Sequence, residues 1–316
     1  MSDDQGRFTA ETERFRRELL AYCYRMLGSA SDAEDLVQET YLRAWRGYAG
    51  FERRASIRSW LYRIASNVCL TALQSRRPRV LPSQLGPSYD GDRPPTQMVN
   101  DASWIEPLPD SWIAVAGDPA AAVIARESLR LALIASLQYF PARQRAIFIL
   151  REIVAFSADE TAEVLDSTVA AVKSGLQRAR AQLDKLPYSP DELLEPTDPR
   201  ARQLLDGYIA AFERSDAALL LQVLRADATL EATPFRDWQS GCTQCIHLLA
   251  TYVLGAPGDW KMVATSANGQ PAAAVYRRDV DGTMRPNGIV VLTATTTGVS
   301  RVVAFHHDPT LVALFR

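Results

Sequence analysis

In "SIRSWLYRIASNVCLTALQSRRPR", Trp60, Arg63 and Asn67 fall three and four positions apart, and Arg76 and Arg77 close the stretch. On a helix the first three share a face. Cationic side chains there can track a phosphate backbone while an aromatic ring meets an unstacked base, the pairing that single-stranded nucleic acid requires. A solvated basic face beside a core tryptophan is the ordinary alternative. A second set lies in "STVAAVKSGLQRARAQL", where Thr168, Ala171, Lys173, Ser174, Gln177 and Arg178 point away from an apolar stripe. Small residues at its start let a helix enter a major groove, and the amide and basic groups can reach bases and phosphates. An ordinary helical hairpin satisfies the same spacing.

Other residue sets promise less. "CTQCIH" (Cys242, Cys245, His247) invites a metal reading, but a structural zinc site takes four ligands, commonly as two pairs, and the sequence holds no second pair. Cys23 and Cys69 sit beside core stripes and read as small buried hydrophobes. Asp237, His247, His306 and His307 are titratable candidates without catalytic spacing. The expectation is therefore no catalytic residue, no metal and no cofactor.

The elements that must position these residues fall into blocks, and 316 residues are too many for one ordinary core. Residues 8 to 79 read as helical, with Phe15, Leu19, Tyr22 and Met26 on one face. Ser31 and Glu34 predict a capping box opening a helix with Val37, Tyr41 and Ala44 inward. Asp35, Gln38 and Glu39 then face outward with Arg43 and Arg46. The next helix carries Ile57, Leu61, Ile64 and Val68 as its core stripe. Residues 119 to 186 are helical again. There Ser157 and Glu160 form a second capping box, Ala162 and Leu165 point inward, and "DST" is a turn in which Ser167 or Thr168 caps the next helix. Val172, Leu176, Ala179 and Leu183 are that helix's inner stripe.

Between these blocks, residues 80 to 118 are acidic and rich in proline and glycine. Their "WIEPLPDSW" is a poor flexible tether, because linkers seldom spend tryptophan. Trp104, Glu106, Pro107, Asp110 and Trp112 instead predict a strap gripped by another part of the chain, the tryptophans as anchors and the carboxylates repelling nucleic acid. The bland alternative has both rings tucked against the helical blocks. Residues 187 to 198 form a second break. Residues 199 to 316 then read as α+β. Asp198 and Pro199 open a helix, "DAALLLQVL" is another, "GCTQCIHLLATYVL" is helical, and strands fall at 228 to 233 and near 260 to 266, 272 to 279, 288 to 296 and 299 to 306, with "DVDGT" a hairpin turn.

A net charge of −2 means that any nucleic-acid binding must come from local basic faces. The first twenty residues lack the apolar core of a signal peptide, and no apolar run approaches a membrane span, so a cytoplasmic protein without membrane contact is expected.

Taken in order, "DAEDLVQETYLRAWRGY", "SWLYRIASNVCLTALQSRRPR" and "LQYFPARQRAIFILREIVAFSADETAEVLDSTVAAVKSGLQRARAQL" resemble the extracytoplasmic-function, or group IV, sigma factors of bacterial RNA polymerase. The resemblance implies a region-two domain over 8 to 79 and a region-four helix-turn-helix domain over 119 to 186, with core RNA polymerase and promoter DNA as partners. It implies that Asp35, Leu36, Gln38 and Glu39 face the polymerase clamp. Trp60, Arg63, Asn67, Arg76 and Arg77 would lie at the melted strand, and Thr168, Lys173, Ser174, Gln177 and Arg178 at the upstream duplex. Gly175 departs from the family, which commonly has a larger polar or basic residue there. The C-terminal order of elements resembles the SnoaL-like cone fold, which some group IV sigma factors carry as an extension; with the strap reading, a regulatory domain over 199 to 316 is expected to grip the linker and contact the sigma domains. The resulting fold class is two all-α domains followed by an α+β domain.

Overall fold

The computed structural model describes residues 2–53, 55–89, 91, 98–99, 101–113, 127–184, 193–306 and 309–315. It divides into two compact units, Met1–Arg79 with Ser111–Tyr188 and Val80–Asp110 with Ser189–Arg316. The segment expected as a linker is thus shared out: residues 80–110 are built into the unit that carries the sheet, and Trp112 belongs to the helical one. His307 and residues 114–126 lie outside the described residues.

In the helical unit α1 (Ser2–Thr12) precedes α2 (Arg16–Leu27), α3 (Ala30–Gly47) and α4 (Ile57–Gln74). An extra helix therefore stands before the three that periodicity predicts. The capping box expected at Ser31 is displaced. Ser29 is the N-cap, its hydroxyl accepting from the Asp32 amide at 3.1 Å, so α3 starts before Ser31. Leu19, Tyr22, Met26, Val37, Ala44, Leu61 and Val68 are buried as expected, whereas Phe15, Tyr41, Ile57 and Ile64 are only half-buried. On α4 the fully covered positions include Tyr62, Ala65 and Cys69, one step round the helix from the anticipated stripe, because two neighbouring surfaces cover this helix.

After the gap come α5 (Leu131–Gln138), α6 (Ala142–Phe148, continuing as a π turn over Ile149–Ile153), α7 (Ala158–Val164) and α8 (Val169–Leu183). The Ser157–Glu160 capping box is present in both directions, at 3.1 and 2.7 Å, and Thr168 caps α8. Arg143 donates to the Leu165 and Asp166 carbonyls, tying down the orphan C-terminal carbonyls of α7 where Asp166 turns the chain at φ 47°.

The second unit contains α9 (Pro199–Glu213), α10 (Ala217–Val223), β1 (Leu224–Thr233), β2 (Trp238–Ser240), α11 (Cys242–Leu248), β3 (Trp260–Ala267), β4 (Gln270–Arg278), β5 (Met284–Thr295), β6 (Gly298–His306) and α12 (Pro309–Leu314). The sheet order is β2-β1-β6-β5-β4-β3. It is mixed, because β1 runs parallel to β6 while the other pairs are antiparallel. Strand β2 and helix α12 add to the elements expected from sequence. Leu204, Tyr208 and Phe212 of α9 press on one face of the sheet, in a core with Trp260, Val275 and Val290.

Several of the described residues between 80 and 110 are hydrogen-bonded to the strands and turns of this unit. The Ser83 amide donates to buried Glu231, itself paired with Arg301. Tyr89 donates to the Trp238 carbonyl (2.8 Å) and Val99 to that of Pro234 (3.0 Å). Leu108 and Asn268 bond twice: the Leu108 amide donates to Asn268 Oδ1 and the Asn268 amide to the Leu108 carbonyl, both at 2.9 Å. Asp110 Oδ1 accepts from Gly269. Pro107 and Pro109 bring no amides to be satisfied, so this one reciprocal pair serves the buried centre of the segment. The side chains that seal it are Ile105 and Leu108, both fully covered, while Trp104 is half-buried. The anchoring expected of two tryptophans therefore falls to the aliphatic residues between them.

Gly175 of α8 is buried and faces α6. A Cβ there would stand 2.6 Å from Ile147 Cδ1, so glycine allows the close approach. The position is an internal packing contact. Alanine gains about 1 kcal/mol of helix propensity over glycine, and the clash opposes it. Gly175→Ala should be less destabilising, or stabilising, in an Ile147→Val background, which lacks Cδ1, than in the wild-type background; thermal denaturation of the four proteins of the cycle measures this coupling.

Candidate nucleic-acid interface

Helix α3 presents Asp35, Gln38, Leu42 and Trp45 outward in register, with Leu36 and Glu39 half-covered beside them. Glu39 pairs with Arg43 at 2.7 Å. Leu42 is 52% and Trp45 38% exposed, which is unusual for large apolar groups on a helix that already has a core face. Sequence reading singled out the carboxylates and passed over these two. The available signal was an apolar residue at 42 out of phase with Val37, Tyr41 and Ala44.

Helix α4 turns Arg63 and Asn67 to solvent, one turn apart, as their spacing demands. Trp60 is only partly available: its ring stacks on Phe51 at 4.6 Å and 24°. The basic end is also partly engaged. Arg76 and Arg79 both pair with Asp32, so Arg76 is not the unencumbered phosphate ligand its sequence position suggests. Arg77 is exposed.

Helix α8 turns Lys173, Ser174, Gln177 and Arg178 outward, with Ala170 and Ala171 exposed at its start. Val172, Leu176 and Ala179 are buried, and Leu183 is half-buried. Thr168 differs in role from the residues after it. Its hydroxyl accepts from the Ala171 amide, so it orders the helix start.

The helices bearing these two basic faces are packed together within the helical unit. Arg58 of α4 bonds Glu18 at 2.6 Å, places its guanidinium 4.6 Å over the Phe156 ring and donates to the Val154 carbonyl. Phe156 in turn meets Tyr62 edge-on at 5.0 Å. Buried Arg145 of α6 donates to the carbonyls of Met26, Gln138 and Phe140 and to the Gln138 amide oxygen. Buried Arg25 of α2 donates to Ser128 through both carbonyl and hydroxyl. Burial draws both guanidiniums down to about 10, which leaves them cationic at neutral pH and in need of these acceptors.

In the sheet unit, Cys242 and Cys245 do not offer thiolates. Burial raises both thiols, Cys245 to about 12, and the Cys245 thiol donates to the Ala228 carbonyl. Among the described residues, no cluster of three metal-ligating side chains is present. His306 and Asp237 line one cavity of this unit, and His247 is outside that lining.

A carboxylate-bearing helix with exposed apolar neighbours, then a basic helix, then a helix-turn-helix with a polar outer face, define a modular transcription protein. Comparison gives it a family. The family model for sigma-70 region 2 matches residues 12–79, and that for sigma-70 region 4 matches residues 130–183. The chain is 46% identical over 316 residues to the ECF RNA polymerase sigma factor SigG of Mycobacterium tuberculosis strain H37Rv, covering 98% of this chain and 84% of that one. It is 30% identical over 220 residues to SigJ of the same strain, covering 70% of this chain and 63% of that one. The crystal structure of Mycobacterium tuberculosis SigJ superimposes with a TM-score of 0.62 at 24% identity, over 97% of this chain and 99% of that one. The chain belongs to the extracytoplasmic-function (ECF) RNA polymerase sigma factors. Its architecture is the expected one, two all-α sigma domains followed by an α+β domain.

The contact of Arg58 with Phe156 joins the region-two match to the region-four match, and its strength can be measured. Arg58→Met, Phe156→Leu and the double variant should reveal a coupling of roughly 0.5–2 kcal/mol, the range of cation–π pairs from exposed to desolvated. Urea denaturation of the four proteins checks it; additive effects would remove this pair as a link.

Proposed function

We propose that this sigma factor works in the cytoplasm as a promoter-specificity subunit without catalysis of its own, and that the C-terminal domain regulates it through residues 80–110. The acidic and apolar outer face of α3, with Asp35, Leu36, Gln38 and Glu39 joined by Leu42 and Trp45, docks on core RNA polymerase. Trp60, Arg63, Asn67 and Arg77 act at the melted strand. Lys173, Ser174, Gln177 and Arg178 meet the upstream duplex, with Thr168 holding the helix that presents them. Elements read in duplex DNA a helical turn or more apart are separated by at least ~34 Å. Release of α4 from the Phe156 turn before α7 would let the two faces reach elements so separated.

One observation carries the regulatory reading: the backbone of Leu108 is bonded both ways to Asn268 in the α+β domain. The chain between region two and region four is thereby committed to that domain, which sets how far the two regions can separate. Trp104, Glu106, Pro107 and Asp110 belong to the gripped part, whereas Trp112 lines a recess with Arg14, Arg16 and Arg17 of the helical unit.

Two outcomes are expected. Asp35→Lys with Glu39→Lys abolishes co-elution with core polymerase while the circular dichroism spectrum is retained, and Leu42→Ala weakens co-elution without changing charge; retained co-elution of the charge-reversed protein removes the docking face. Asn268→Gly keeps the left-handed backbone (φ 58°) but strips the acceptor from the buried Leu108 amide, a loss of about 1–3 kcal/mol. It should raise proteolysis between residues 80 and 110 and shift run-off transcription in the same direction as removal of residues 199–316. Looser strap with unchanged transcription refutes the regulatory role.

A further inference from the structure

The α+β domain encloses a cavity of about 90 Å³. Tyr208, Phe212, Trp260 and Val290 form its apolar lining, and all four are buried. Asp237, Gln239 and His306 are polar residues of the same lining. Asn287 Nδ2 stands 2.9 Å from His306 Nδ1. With that amide donating, Nδ1 accepts and the ring proton resides on Nε2. Protein interiors are close-packed, so a void of this size gives up dispersion contacts that an occupant restores. It is below the range for drug-sized ligands and of the order of the ~150 Å³ apolar cavity that admits benzene.

The cavity wall is also the surface on which the linker lies. Phe235, Asp237 and Trp238 line the cavity, and the same short segment bonds Gly86, Tyr89 and Val99. Trp238 accepts from the Tyr89 amide through its carbonyl and donates to the Gly86 carbonyl through Nε1, at 2.8 and 3.0 Å. Pro234 accepts from the Val99 amide at 3.0 Å. A ligand that presses on the Phe235 or Trp238 ring acts directly on the residues that hold the linker.

We propose that this cavity binds a compact, single-ring apolar molecule with one hydrogen-bond-donating head, an amine or hydroxyl, held by Asp237, and that the 234–238 wall passes its occupancy to residues 85–99. The carboxyl oxygens of Asp237 can accept a hydrogen bond and so select a donating head. The aromatic lining selects the ring. The second half rests on the strap reading above, while binding itself does not.

The experiment titrates the full-length protein with benzylamine, toluene and benzoate by calorimetry and follows amide hydrogen exchange at saturation. Benzylamine should bind saturably at one site, about tenfold or more tighter than benzoate. Asp237→Asn should cost benzylamine about tenfold and leave toluene nearly unchanged, and exchange at Tyr89 and Val99 should shift when benzylamine is bound. Ala304→Leu, which fills the cavity, should abolish binding; should that variant fail to fold, Asp237→Asn carries the test. Absence of saturable binding, equal affinity for benzoate, or indifference to Asp237→Asn overturns the site. Binding with unchanged exchange at Tyr89 and Val99 overturns the coupling. Failure of the strap reading appears separately, as unchanged transcription in Asn268→Gly, and leaves benzylamine binding intact.

Discussion

A buried backbone amide must find an acceptor, and in a proline-rich segment the choice of acceptor fixes the segment's place. Pro107 and Pro109 leave Leu108 as the donor at the centre of "IEPLPD", and Leu108 is fully covered. Asn268 meets it with a side-chain acceptor and returns its own amide. Asn268 can do so because it sits, buried, in the left-handed region, which asparagine tolerates better than most residues. Exchanging one partner leaves a desolvated donor behind, so the linker is tied at this point more firmly than its buried apolar area alone implies.

The helical unit solves a related problem with charge. Arg25 and Arg145 are guanidiniums inside a core, where an unpaired cation is untenable. Arg145 donates to carbonyls of Met26, Gln138 and Phe140 and so ties its helix to its neighbours, while Arg25 bonds both the carbonyl and the hydroxyl of Ser128. Arg58 does the same near the surface, using a carboxylate, an aromatic face and a carbonyl together. Packing of this kind is specific but reversible. Each of these donors could be satisfied by water if the contact opened, at a modest net cost per hydrogen bond.

The outward faces of α4 and α8 needed no tertiary information, because a helix with a settled apolar stripe has only one side left for Arg63, Asn67, Lys173, Gln177 and Arg178. The same logic explains what was missed. Leu42 and Trp45 break the stripe on α3, and a single apolar residue off-phase reads as noise until its exposure is known. Thr168 and Gly175 were legible as a cap and a glycine, but whether each served the helix or the ligand depended on neighbours. For Gly175 the neighbour is Ile147, many residues away.

Local order, then, was determined by the sequence itself: helix periods, the Ser157–Glu160 box, the Asp198–Pro199 start, the "DVDGT" turn and the succession of helical and α+β blocks all rest on interactions within a few residues. Tertiary structure alone decided the rest. It paired β1 with β6 in parallel, engaged Arg76 with Asp32, covered one face of Trp60 with Phe51, and made Ile105 and Leu108 the seal of the linker in place of two tryptophans. Each of those outcomes joins residues distant in the chain. The choice among acceptors, rings and carboxylates is made by which surfaces the packed core brings together, and no periodicity in the sequence encodes that.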